Sequence, residues 1–137
     1  MPWRERPEIM AWWALARSDL RIARVAADLI PPELHVACFH AQQSAEKSLK
    51  ALLEAQHCPI VRTHDLARLL QLLPQGDRPN DDVVDACARL TLLAVGPRYP
   101  GPAGPSTEDE ARQALRDAAC VVAWAEHRLD QHDFPTP

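Results

Sequence analysis

Long apolar runs, glycine and aromatic residues are all scarce in this sequence, and each shortage removes a class of protein. No stretch approaches the ~18 consecutive apolar residues that a membrane span requires, so nothing reads as a transmembrane helix. The opening residues 1–6 carry two arginines but run into Pro7 and Glu8 rather than an apolar core, which is not the pattern of a secretory leader. Glycine occurs only 4 times, aromatics make up 5% of the chain, and Val, Ile and Thr are few, so a β-sheet would lack its usual residues. Positive charge is not in excess either. Fifteen Lys plus Arg against 19 Asp plus Glu give a formal net charge of -4, which argues against nucleic-acid binding through overall basicity and leaves only a local basic face. The four cysteines, Cys38, Cys58, Cys87 and Cys120, contain no C-x-x-C pair. They read as reduced, mostly buried small apolar residues, so neither a metal nor another cofactor is expected and the protein reads as cytoplasmic.

What is present points to helices. The 137 residues fit one domain, with residues 7–131 as its helical core and 132–137 as a tail. Alanine dominates the apolar content, and 13 prolines punctuate long proline-free windows. The windows predict helices over about 8–30 and 32–56, then a short helix capped by Thr63. A fourth should start at Asn80, with Asp81 and Asp82 in its first turn, and stop at Gly96-Pro97. A fifth opens with the capping box Thr107-x-x-Glu110 and runs to about Gln131.

At 100° per residue each long window has an apolar stripe. On the first helix it comprises Trp12, Leu15, Ile22, Ala23, Ala26, Leu29 and Ile30, with Arg17, Arg21, Arg24 and Asp28 opposite. Leu34, Cys38, Ala41, Ala45, Leu49, Leu52 and Leu53 form the second stripe, and Ala111, Leu115, Ala118, Ala119, Val122, Ala125 and Leu129 the last. The expected fold is all-α: an up-and-down bundle of about four long helices with a short one packed across it.

Some polar residues break these stripes. Asp19 and Gln42 sit at apolar positions with Glu46 at the edge, and a buried carboxylate needs a partner. For Asp19 the plain expectation is a structural hydrogen bond to a helix end such as that near Thr63-His64; the sharper one is a ligand cleft. Glu46 and Lys50 are spaced to pair at i,i+4. Arg17, Arg21 and Arg24 form either a phosphate-facing stripe or an ordinary solvated face. His40, Gln43 and Lys47 on the second helix extend such a contact or simply face water. Trp13, at the edge of the first stripe, and Trp124, opposite the last, suggest either a protein interface and a symmetric dimer or cover from the Phe134-containing tail.

The blocks Ala16-Arg17-Ser18-Asp19-Leu20, residues 39–53 (FHAQQSAEKSLKALL), Thr63-His64-Asp65-Leu66, Arg98-Tyr99-Pro100-Gly101 and residues 107–111 (TEDEA) together resemble the HEPN domain family. They appear in the family's order across nearly the whole chain. The resemblance implies a small all-α bundle that forms a homodimer. It further implies a prokaryotic protein often encoded beside a minimal nucleotidyltransferase, many such pairs acting as toxin and antitoxin. Active members of the family are metal-independent ribonucleases whose Arg-x4-6-His motif assists attack of the RNA 2'-hydroxyl on the adjacent phosphate. Here none of the six histidines has an arginine five to seven positions before it, so that motif is absent. In its place stands the Arg98-Tyr99-Pro100 turn of the nucleotidyltransferase-associated branch, preceded by Leu92-Leu93-Ala94-Val95 where a polar or aromatic residue is common. Arg98 offers a phosphate fork and Tyr99 a stacking face; alternatively Arg98 caps the fourth helix and Tyr99 packs in the core.

Three functions follow. The first is a dimeric partner of a minimal nucleotidyltransferase that binds nucleotide or RNA through Arg98, Tyr99, His64, Lys47, His40 and Gln43, with Asp19, Gln42, Glu46 and Lys50 as a structural polar network and no catalytic residue. The others are a ribonuclease toxin with a non-standard Arg/His site and a structural dimerisation domain.

Overall fold

The structure, a computed structural model, describes residues 1–93 and 106–132. All regular elements among the described residues are helical: α1 Pro7–Asp28, α2 Leu34–Ala55, α3 Leu66–Gln71, α4 Asp81–Thr91 and α5 Glu108–Gln131, with 3-10 turns at Trp3–Glu5 and Gln75–Asp77. The expected all-α bundle is therefore observed. Among the described residues no helix is long and apolar enough to cross a membrane.

Local chemistry sets the ends. Pro7 occupies the first turn of α1, where its missing N–H costs nothing. The Asn80 side chain accepts the Val83 N–H at 3.2 Å to start α4 as expected. At α5 the Thr107 hydroxyl oxygen accepts the Glu110 N–H at 3.1 Å and its proton is donated to the Glu110 carboxylate, also at 3.1 Å. The short helix differs from expectation. Asp65, not Thr63, is the cap: it accepts the Arg68 N–H, while Thr63 accepts the Asp65 N–H one step earlier. α4 also ends at Thr91 rather than at Gly96-Pro97. The Thr91 hydroxyl turns back onto the Cys87 carbonyl and accepts the Leu66 N–H, tying the start of α3 to the end of α4.

α2 closes on His57, one residue beyond the window predicted for that helix. His57 adopts φ 55°, the Cys58 N–H reaches the Leu53 carbonyl at 2.9 Å and the His57 N–H the Glu54 carbonyl at 3.2 Å. This is a Schellman closure with histidine where glycine is usual.

α2 is the central helix. It packs against α1, α5, α3 and α4, and residues such as Cys38, Ala41, Ala45, Leu49, Leu52 and Leu53 are buried, as its predicted stripe requires; Leu34 is half-buried. α4 is fastened to α5 by Arg89, whose guanidinium donates twice, at 2.9 Å each, to the buried Asp117 carboxylate. Of the cysteines, Cys38 and Cys87 are buried and Cys58 and Cys120 half-buried, all free. Burial pushes the Cys87 thiol up to about 12, so it is an inert apolar side chain.

The predicted face of α1 needs correction. The helix turns Ile9, Trp13, Ala16, Leu20, Ala23 and Ala26 inward, whereas Leu15 (50% exposed), Ile22 (45%) and Leu29 face solvent, and Ile30 lies beyond the helix end. α1 carries two apolar stripes, and the inward one is chosen by fit. Ala16 and Ala23 let the neighbouring helices approach closely, and Trp13 packs edge-on against the buried Trp3 with ring centroids 5.4 Å apart. The Trp3 indole in turn donates to Asp130 at 2.8 Å. Trp13 is thus core rather than interface, and Trp124 is half-buried against the same core.

Candidate functional site

The polar exceptions of α1 and α2 converge. The connection between the two helices, residues 29–33, folds α2 back along α1, and residues equally far from Pro31 come opposite one another. Asp19 thereby faces the turn of α2 around Gln43, with His40 and Lys47 on either side of it. The His40 ring meets Asp19 through Nδ1 at 2.7 Å, and Lys47 Nζ donates to the other carboxylate oxygen at 2.6 Å. The helix end expected as the partner of Asp19 is replaced by an imidazole and an ammonium from the neighbouring helix. The reason is geometric, since Asp19 points toward α2 and its carboxylate is fully engaged there.

A second cluster of the same composition lies one to two turns further along α2. Glu46, buried at 3% exposure, receives Lys50 at 3.0 Å, the His64 ring through Nδ1 at 2.8 Å and the Gln42 amide at 3.3 Å. The predicted Glu46–Lys50 pair is thus present. It is Gln42, fully buried, that makes the contact to the segment before α3, donating to the His64 carbonyl at 3.1 Å. Gln43 donates to the Gln42 side-chain oxygen at 2.7 Å, so the network runs without a break from Gln43 to Lys50. Lys50 lies 5.4 Å from the centre of the Trp12 ring, a cation–π contact that sequence reading missed. The equal spacing of Trp12 and Lys50 about Pro31 is the signal that could have found it.

Each carboxylate is therefore held between a lysine and a histidine. A carboxylate acceptor on Nδ1 fixes the neutral ring with its proton there and leaves Nε2 as the outward nitrogen. His40 is 28% exposed and His64 53%, whereas the Asp19 and Glu46 side chains behind them are 11% and 4% exposed. With both rings neutral the two lysines balance the two carboxylates; protonating either ring makes the site cationic. Such a face can bind an anionic oxygen and move a proton to or from it.

The basic residues of α1 are apart from this cluster. Arg17, Arg21 and Arg24 are exposed on α1, on the side toward α5. Arg98 and Tyr99 lie outside the described residues, as does the Phe134-containing tail. Among the described residues no three of His, Cys, Asp and Glu are grouped as a metal-ligand set.

Among the described residues the chain is a bundle of five α-helices with a charged seam between α1 and α2. The HEPN domain model matches residues 9–128, and the chain belongs to the HEPN family. The fold is shared with TT1696 from Thermus thermophilus, a crystal structure at 33% identity and a TM-score of 0.81, over 88% of this chain and 98% of that one. It is shared likewise with ST0689, described as an archaeal HEPN homologue, at 27% identity and a TM-score of 0.73 over 89% of this chain and 98% of that one. A comparison with curated proteins finds no match.

Proposed function

We propose that this HEPN protein is a homodimeric, cytoplasmic partner of a minimal nucleotidyltransferase, in a toxin–antitoxin-like pair, and that it contacts nucleotide or RNA through the face formed by His40, Gln43 and Lys47 of α2 with His64 of the segment before α3. The observation that carries the reading is the pair of carboxylate-anchored histidine–lysine clusters side by side along α2. Their imidazoles and lysines are held in place by buried acids and need little ordering to meet a phosphate. Dimerisation is supported by the outer stripe of α1. Leu15, Ile22 and Leu29 recur every seven residues with Val25 between, the spacing of a helix–helix seam, and they border Asp19 around the helix.

Co-expression with a minimal nucleotidyltransferase encoded in the same genome tests the partner, and a short RNA titrated onto the purified protein tests the site. The reading expects a stable complex, and RNA affinity reduced about tenfold or more by Lys47→Met with His40→Ala. No complex and no RNA or nucleotide binding would leave a structural dimerisation domain.

The outward Nε2 atoms favour a second reading, a metal-independent ribonuclease with a non-standard site in which one imidazole takes a proton and the other returns it. Cleavage of RNA by the wild type but not by His40→Ala or His64→Ala is its signature.

A further inference from the structure

Opposite the α1–α2 seam, α1 and α5 leave a groove. Two adjoining cavities of about 300 and 410 Å³ share Trp13, Arg17, Arg21 and Glu126 in their walls, and together they follow α1 from Met10 to Arg24. Fourteen helical rises of 1.5 Å each make this about 21 Å long. The floor is apolar and shallow: Leu20 and Val122 line it, and Ala119 and Ala123, one turn apart on α5, keep it open. The rim carries Arg17, Arg21 and Arg24, at helical spacings of about 6 and 4.5 Å along the axis. None of the three has a hydrogen bond or ion pair with another described residue. Among the described residues Glu126 is the one carboxylate lining the two cavities, and it is approached by Arg4 at 3.6 Å.

We infer that this groove is a docking surface for an acidic amphipathic helix of a protein partner. A helix laid along α1 repeats its own side chains every three or four residues, so Asp or Glu at i, i+4 and i+7 meets the three guanidinium groups in register. Its apolar face then covers Ala119 and Ala123 of α5, with Leu20 and Val122, each 8% exposed, beneath them. A nucleic-acid backbone satisfies the arginines but gains nothing from the apolar floor. The inference is independent of the nucleotide or RNA reading, which concerns the other side of α1.

A displayed library of fourteen-residue helix-forming peptides, selected on the full chain, provides the test. Two variants serve as controls: the charge reversal Arg17→Glu/Arg21→Glu/Arg24→Glu, and Ala123→Trp, which fills the groove without changing its charge. Circular dichroism first establishes that both are folded. The inference expects selected peptides to carry acids at three- and four-residue spacing beside an apolar stripe, and both variants to weaken their binding by about tenfold or more. Peptides without that periodicity, or ones that bind both variants as well as the wild type, overturn it. A twelve-nucleotide single-stranded RNA that binds wild type more tightly than any selected peptide, is lost on charge reversal and survives Ala123→Trp also overturns it, in favour of a backbone-phosphate contact.

Discussion

The His40 ring contacts Asp19 through Nδ1 at 2.7 Å while Lys47 grips the second oxygen of the same carboxylate at 2.6 Å. Asp19 is 8% exposed, so this one acid links α1 to two points of α2 about two turns apart and fixes which nitrogen of His40 faces outward. Replacing it by asparagine leaves the Lys47 ammonium half-buried without its counter-charge. Urea denaturation of Asp19→Asn is expected to show a loss of about 1–3 kcal/mol. The double variant Asp19→Asn/Lys47→Met is expected to lose less than the two single losses combined, and strict additivity would show that the pair is not coupled.

His132 predicts how stability depends on pH. Burial, followed by the neighbouring Arg128 guanidinium, holds its imidazole below the ordinary value of 6.5. The unfolded chain therefore takes up this proton more readily than the folded one. The contribution is fully present above about pH 6.5 and is lost as pH falls through the lowered folded value. Its neighbours Asp77 and Gln56 are contacted by the same ring. Urea midpoints measured between pH 7.5 and 5 should fall more steeply for the wild type than for His132→Gln; parallel curves would remove His132 from the account.

His57 offers a stabilising substitution. It holds φ 55° at the end of α2, in the left-handed region that disfavours a side chain. His57→Gly relieves that cost while retaining the closing hydrogen bonds to Leu53 and Glu54. Part of the gain is offset by the freedom glycine has when unfolded. A net increase of about 0.5 kcal/mol in a urea or thermal unfolding series is expected, and a decrease would mean that the His57 side chain contributes contacts of its own.

The outer stripe of α1 predicts oligomeric state. Leu15→Glu/Ile22→Glu places charges on half-exposed positions, where substitutions change monomer stability little. Light scattering after size exclusion should show a dimer for the wild type and a monomer for the variant, with circular dichroism unchanged. A monomeric wild type, or an unaffected dimer, moves the interface elsewhere.

Much of this was legible in the sequence. Proline and the Asn80 and Thr107 caps located most helices within a few residues, because those signals act locally. The inward face of α1 was not legible, since Leu15, Ile22 and Leu29 are as apolar as Ile9, Trp13 and Leu20, and only packing against Trp3 and two other helices decides between them. The need for a partner at Asp19 could be read from its position, but its identity could not be read from one helix alone. It follows once α1 and α2 are treated as a hairpin centred on Pro31, an arithmetic that also places Lys50 beside Trp12. The end of α4 at Thr91 was misread because the Thr91 hydroxyl serves α3 as well as its own helix, a tertiary contact with no local signature.

The most direct test of the central claim is an NMR titration of the full-length protein, imidazole nitrogens labelled, with a short single-stranded RNA. The account predicts that Nε2 of His40 and His64 shifts first and furthest, and that Lys47→Met, checked for its fold by circular dichroism, strongly reduces the change. Shifts confined to residues outside the α1–α2 seam, with both imidazoles unmoved, would contradict it.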